Sequence, residues 1–167
     1  PSFSFASFSG ALAGSDTVAD VTGGTGAASD VAYTTSVTTT SNAGTYTNDI
    51  GITAGSLDGS KAGNYAITID AGDFTVGKAT LTVTPGAQTY SYDGTASQFN
   101  ASAYTFSGFA GGDTAAVVSG ATSATASDMV NVGTRNISLS GTGTLSAANY
   151  DFSLASLASG LTITPAT

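Results

Sequence analysis

Tyr150-Asp151-Phe152-Ser153-Leu154, followed closely by Leu161-Thr162-Ile163, makes every second side chain apolar. Successive side chains of an extended chain point to opposite sides, so this two-residue period is that of a strand burying one face. Leu81-Thr82-Val83, Tyr90-Ser91-Tyr92 and Ile137-Ser138-Leu139 repeat it, as do Ile67-Thr68-Ile69 and Phe74-Thr75-Val76. No segment carries a sustained 3.6-residue apolar stripe with caps. The 22 Gly and frequent Asp-Gly, Gly-Gly and Ser-Gly pairs mark turns between short runs. The fold class is therefore all-β. Strands are predicted over 80-84, 88-92, 103-107, 115-119, 121-127, 133-140, 150-155 and 160-164, and earlier over 3-8, 31-37, 45-54, 65-70 and 74-77.

Those strands fall into two copies of one design. Phe8-Ser9-Gly10-Ala11-Leu12-Ala13-Gly14-Ser15-Asp16-Thr17 returns, one residue shorter, as Phe106-Ser107-Gly108-Phe109-Ala110-Gly111-Gly112-Asp113-Thr114. Asn42-Ala43-Gly44-Thr45 returns as Asn131-Val132-Gly133-Thr134, Gly63-Asn64-Tyr65 as Ala148-Asn149-Tyr150, and Gly77-Lys78-Ala79-Thr80 as Thr164-Pro165-Ala166-Thr167. A module of about 87 residues is thus repeated. The expected organisation is tandem small antiparallel β-sandwiches, Ig-like and glycine-rich, over 1-78 and 79-167. The register of the repeat sets Pro1 opposite about residue 100, so the first module is expected to lack its opening strands. An unpaired edge left there invites homotypic strand addition. Ala166-Thr167 matches the opening of a further repeat. Only Gly77-Lys78-Ala79-Thr80 separates the copies, too few for a free linker, so restricted bending between modules is expected.

Composition excludes several function classes. The chain has no Cys, His, Trp or Glu, and its 11 acids are all Asp against Lys61, Lys78 and Arg135, a net charge of -8. Without Cys there is no disulfide scaffold or thiolate ligand, and without His the usual neutral-pH base is lost. Three cations in 167 residues cannot neutralise a phosphate backbone or dock on anionic lipid, so no nucleic acid and no membrane insertion are expected. Leu, Ile, Val and Phe make up only 19% of the chain, near the level of disordered proteins. Charged residues make up only 8%, and the apolar residues are ordered in space, which argues for a fold.

A family resemblance rests on motif order. Residues 79-167 carry Tyr92-Asp93-Gly94-Thr95 after an opening strand, then Phe106-Ser107-Gly108-Phe109, Gly112-Asp113-Thr114, Val132-Gly133-Thr134, Ala148-Asn149-Tyr150 and the closing Gly160-Leu161-Thr162-Ile163-Thr164-Pro165-Ala166. This pattern resembles the MBG and YDG-type modules, mostly-β repeats found in tandem in large secreted bacterial adhesins and haemagglutinin-like exoproteins. Residues 1-78 carry it without the Tyr-Asp-Gly segment, and Arg135 stands where the first copy has Tyr46. The resemblance implies a stalk or spacer on the bacterial surface, extracellular and partnered mainly by neighbouring repeats.

Candidate chemistry is sparse. Asp58, Asp73, Asp93 and Asp113 beside glycines offer hard-oxygen donors for calcium, but they stand singly and read first as turn formers. No catalytic residue and no other cofactor is expected. Asp70 with Asp73 is the nearest carboxylate pair, with no Glu to serve as a second acid. Gly23-Gly24-Thr25-Gly26 lacks the Lys-Ser/Thr of a phosphate loop, and Asn100-Ala101-Ser102 and Asn136-Ile137-Ser138 match the glycosylation acceptor only formally. Lys61 and Lys78 are candidates for an isopeptide staple to an Asp or Asn. Tyr33, Tyr46 and Tyr104, if exposed, would stack on a surface glycan, the alternative role of adhesive module. Thr80-Leu81-Thr82-Val83-Thr84 sets three Thr on one face, too small an array for ice binding.

Overall fold

A computed structural model describes residues 12–23, 32–53 and 57–167. The chain divides into two compact units, Pro1–Val76 and Gly77–Thr167, beside the sequence expectation of 1-78 and 79-167. Strands dominate and helix is almost absent, so the protein is all-β.

In the second unit, strands β4 (Ala79–Pro85), β6 (Tyr104–Ser107) and β9 (Tyr150–Leu154) form one sheet in the order β6-β4-β9. Strands β5 (Gln88–Ser91), β7 (Ala124–Ala126), β8 (Gly133–Leu139) and β10 (Leu157–Thr164) form another, in the order β5-β10-β8-β7. The alternating pattern buries the predicted face: Leu81 and Val83 on β4, and Ile137, Leu161 and Ile163 on the other sheet, are at most 1% exposed. Each such side chain contributes about 1.5–3 kcal/mol of transfer free energy. β4 also lies against β8 and β10 of the other sheet. Around Leu81, Ala147 and Tyr150 the aromatic rings meet edge-on, Phe109 to Tyr150 at 5.9 Å and Phe106 to Tyr104 at 5.7 Å, the geometry that ring quadrupoles favour.

The first unit holds one sheet among the described residues, β1 (Tyr33–Thr34), β2 (Gly44–Ile52) and β3 (Gly72–Val76), in the order β1-β2-β3. A one-turn helix, α1 (Val18–Thr22), precedes it. Thr17 caps α1 through a reciprocal box: the Asp20 amide reaches Thr17 Oγ1 at 3.3 Å and the Thr17 amide reaches Asp20 Oδ2 at 2.8 Å. Gly23 ends it at φ 80°. Among the described residues, Val21 is the one fully buried apolar side chain of this unit.

Several expectations need correction. The sandwich was expected to be antiparallel, but β5 runs parallel to β10 and β4 parallel to β9. Periodicity tells that a strand exists and not which strand it meets; here the opening two strands return to the closing two. The strand expected over 115-119 is a 3-10 turn, Ala115–Val117, because the Thr114 hydroxyl takes the Ala116 amide and starts a helical turn. The strand expected over 65-70 is not assigned; a 3-10 turn, Ala62–Asn64, leads into residues that pair with no strand among the described residues. The predicted 31-37 shrinks to the two residues of β1, and 3-8 lies outside the described residues. Tyr33, Tyr46 and Tyr104 are each half-buried.

Candidate functional site

The duplicated motif Ala-Gly-x-Asp-Thr, with the later Asn-Tyr, assembles the same clamp in both units. In the second unit, Gly111 adopts φ 63°, a conformation that disfavours any Cβ, and the turn closes with the Asp113 amide on the Ala110 carbonyl at 3.0 Å. The start of β9 then brings in Tyr150. Its hydroxyl accepts the Ala110 amide at 3.0 Å and donates to Asp113 Oδ2 at 2.7 Å. In the first unit Gly14 adopts φ 61°, the Asp16 amide reaches the Ala13 carbonyl at 3.1 Å, and Tyr65 accepts from Ala13 at 2.9 Å and donates to Asp16 Oδ2 at 2.7 Å. The threonine following each Asp caps the next helical turn. Recurrence of these letters therefore has a physical cause: glycine for the turn, Asp for the phenol, Thr for the cap.

Charge distinguishes the two clamps. Lys61 Nζ lies 2.5 Å from Asp16 Oδ1 and 3.7 Å from Asp20 Oδ2. The Lys61 contact, then the Tyr65 hydroxyl, holds the Asp16 carboxyl below its usual range, and Asp16 in turn raises Lys61. Both stay ionised, so the pair favours a salt bridge over the amide staple that the sequence admits, which needs a neutral amine. The Tyr65 hydroxyl is raised by its bond to Asp16. At Tyr150 the Ala110 amide pulls downward, but the bond to Asp113, burial and the Asp113 charge together push the phenol up.

A second repeated device is the hairpin. β3 runs against β2 with Val76, Thr75 and Phe74 opposite Gly44, Thr45 and Tyr46. β10 runs against β8 with Ile163, Thr162 and Leu161 opposite Gly133, Thr134 and Arg135, the same three pairs in the same register. Beyond them each ladder breaks at a bulge, on opposite strands. In the first unit the extra residues lie on β2, with Asn48 at φ 54°, and the Asn48 amide is taken by Asp73 across the ladder at 2.9 Å. In the second they lie on β10, with Ser159 at φ 52°, and the Ser159 amide is taken by Asn136 at 2.9 Å. Nothing in the periodicity announces these caps.

The calcium candidates are dispersed among such tasks. Asp73 caps the first bulge and Asp113 holds Tyr150. Asp93 gathers the Thr95 amide at 2.8 Å and Gln98 Nε2 at 2.8 Å; Gln98 first, then Thr95, lowers its pKa. Exposed Asp58 lies against Gly23, where it leaves no space for a side chain. No group of three metal-ligating side chains occurs among the described residues. Arg135, in place of Tyr46, reaches Asp128 at 3.2 Å, while Tyr46 donates to the Asn42 carbonyl at 2.8 Å; each ties its strand to the preceding loop. Asp128, missed by sequence reading, also takes the Asn131 and Val130 amides, which hold its pKa far below the carboxylate range. Asp49 likewise takes the Ser36 amide at 3.0 Å and the hydroxyls of Ser36 and Thr35, and Ser36 foremost lowers it.

Comparison with family models finds the MBG domain (YGX type) twice, over residues 1–75 and 81–158. The chain belongs to the MBG domain family. Searches of curated proteins and of solved structures found no match. Membership points to a repeat module of a large surface protein.

Proposed function

We propose that this chain is a structural stalk or spacer repeat of a secreted bacterial surface adhesin, built from tandem small β-sandwich modules and working outside the cell. The observation that carries this reading is the pairing of two successive family matches with two copies of the same clamp and hairpin. What the duplication preserves is internal scaffolding: a turn, a phenol bond and a ladder register. Of the calcium candidates, Asp73, Asp93 and Asp113 serve backbone or side-chain donors of their own unit. The reading assigns no catalytic residue, no cofactor and no nucleic-acid partner.

Concatenated chains of one, two and four copies of residues 1–167 test it by small-angle scattering. The maximum dimension should rise in proportion to copy number. A dimension that stops growing would overturn the spacer reading, and saturable binding on a glycan array would replace it with the adhesive one.

A further inference from the structure

Asp-Gly occurs twice in the sequence, at Asp58-Gly59 and Asp93-Gly94, and the fold sets the two pairs in opposite surroundings. A glycine after an aspartate leaves its amide nitrogen unshielded by any side chain. Whether the carboxyl closes on that nitrogen depends on the nitrogen being free and on the carboxyl being able to turn toward it.

The Gly59 nitrogen is committed. Its amide donates to the Val21 carbonyl at 3.0 Å, and the Lys61 amide ties the same turn to the Asp20 carbonyl at 2.9 Å. The backbone packs so closely that a Cβ on Gly59 would lie 2.2 Å from the Asp20 carbonyl oxygen. Gly94 is the reverse case. It is exposed, adopts φ 81°, and no group among the described residues takes its amide. A Cβ there would meet only the Tyr92 hydroxyl oxygen, at 3.8 Å. Here it is the carboxyl that is restrained. Asp93 Oδ1 accepts the Thr95 amide at 2.8 Å and the Thr95 hydroxyl at 3.0 Å, while Oδ2 accepts Gln98 Nε2 at 2.8 Å and the Ser97 hydroxyl at 3.4 Å.

We propose that Asp93-Gly94 is a site of spontaneous isoaspartate formation, gated by release of the Asp93 carboxyl from Thr95, Ser97 and Gln98. In the released state the Gly94 nitrogen attacks Asp93 Cγ. The N–Cγ bond forms, the protonated carboxyl loses its hydroxyl, which departs with the amide proton as water, and a five-membered imide results. Water then adds to one of the two imide carbonyls. Opening at Cγ restores aspartate; opening at the main-chain carbonyl leaves the chain running through Cγ, with one more backbone carbon and a carboxylate on Cα. Water is the one co-reactant and the net composition is unchanged. The relocated carboxylate no longer sits where the four donors converge. Gln98 Nε2 also donates to the Ser91 carbonyl at 3.1 Å, so the loss reaches the last residue of β5. Conversion thus loosens the loop after β5 as the protein ages.

The whole chain, incubated at neutral pH in oxygen-18 water, tests this by peptide mapping with fragmentation that separates isoaspartate from aspartate. Isoaspartate and heavy oxygen should accumulate in the peptide holding Asp93 ahead of that holding Asp58. In urea the two sites should converge, because the fold is what distinguishes them. Gln98→Ala removes a hydrogen bond to a charged group and makes local release easier, so conversion at Asp93 should quicken about tenfold. Asp58 should be unaffected in that variant, which reports a folded chain. Equal rates at the two sites in the folded chain, faster conversion at Asp58, a difference that persists in urea, or a Gln98→Ala rate equal to wild type overturns the proposal.

Discussion

The Tyr150 hydroxyl donates to Asp113 at 2.7 Å, closing a bond between residues 37 apart in sequence, and the Tyr65 hydroxyl closes the equivalent one to Asp16 at the same length. Tyr150 is 3% exposed, and removing its hydroxyl leaves the Asp113 carboxylate and the Ala110 amide without that partner. Tyr150→Phe should lower the melting temperature of the second unit and speed exchange of the Ala110 amide. Asp113→Asn, which keeps an acceptor oxygen, should be milder than Asp113→Ala. Equal melting temperatures for wild type and Tyr150→Phe would show the clamp to be idle.

Titration behaviour follows from the hydrogen bonds. Asp16, Asp20, Asp49, Asp93 and Asp128 all have lowered pKa values in the folded chain, held down chiefly by Lys61, Thr17, Ser36, Gln98 and Asn131 respectively. A depressed carboxyl stabilises the fold above its unfolded value and loses that contribution as pH falls through the folded value. Stability should therefore decline below about pH 4. Lys61 and the phenols of Tyr65, Tyr90 and Tyr150 are raised, by Asp16 for the first two, by burial for Tyr90, and by the balance at Tyr150. A raised group contributes fully below its unfolded value and loses that contribution as pH climbs through the folded one, so a second decline belongs above about pH 10. The chain holds no His, Glu or Cys, and the melting temperature should be flat from about pH 5 to 9.

The mirrored bulges make a matched pair of tests. Ser159 is a non-glycine at φ 52°, a conformation costing roughly 1–2 kcal/mol for an L-residue. Ser159→Gly should be neutral or stabilising by about 1 kcal/mol, and Ser159→Val destabilising, in denaturant melts of the second unit. Asn136→Ala should weaken the same bulge by removing its cap. Asp73→Ala should do so only in the first unit.

Packing gives the largest expected effects. Leu161 is 0% exposed in the four-stranded sheet's cluster, and Leu161→Ala should cost about 2–5 kcal/mol. Gly108 has φ 99°, and a Cβ there would lie 2.7 Å from the Thr80 carbonyl oxygen. Gly108→Ala is thus both strained and clashing, and should separate β6 from β4, read as faster amide exchange at Thr82 and Thr84.

The two units should also melt separately. Among the described residues the first has one fully buried apolar side chain, Val21, while the second buries eight, so the first transition on heating should belong to Pro1–Val76. Exchange-monitored unfolding assigns it; a single concerted transition would contradict independent units.

Reading the letters went furthest where spacing encodes geometry. The turn glycines, Asp16, Asp113 and their phenols recur because each clamp needs the same residues, and the duplicated hairpin keeps offsets of 89 and 87 residues that reappear as one ladder register. Partner choice was illegible, since Leu81-Thr82-Val83 fixes a face and not a neighbour. Residues 65–70 show the limit from the other side: their letters alternate as a strand's do, yet no strand among the described residues pairs with them. The run Ala115-Ala116-Val117-Val118 misled because a short apolar stretch suits strand or turn alike, and the signal that decides it is Thr114 just ahead. Bulge caps such as Asn136 depend on which residue faces which across a ladder, knowledge that no single strand contains.

The parallel course of β4 with β9 and of β5 with β10 governs how the second unit would respond to being pulled. Tension entering at Ala79 draws β4 toward its own beginning, and tension leaving at Thr164 draws β10, and through it β9, toward its end. Both ladders are then dragged lengthwise, so their hydrogen bonds share the load and must fail together, in shear, where an antiparallel pair tugged from one end would unzip bond by bond.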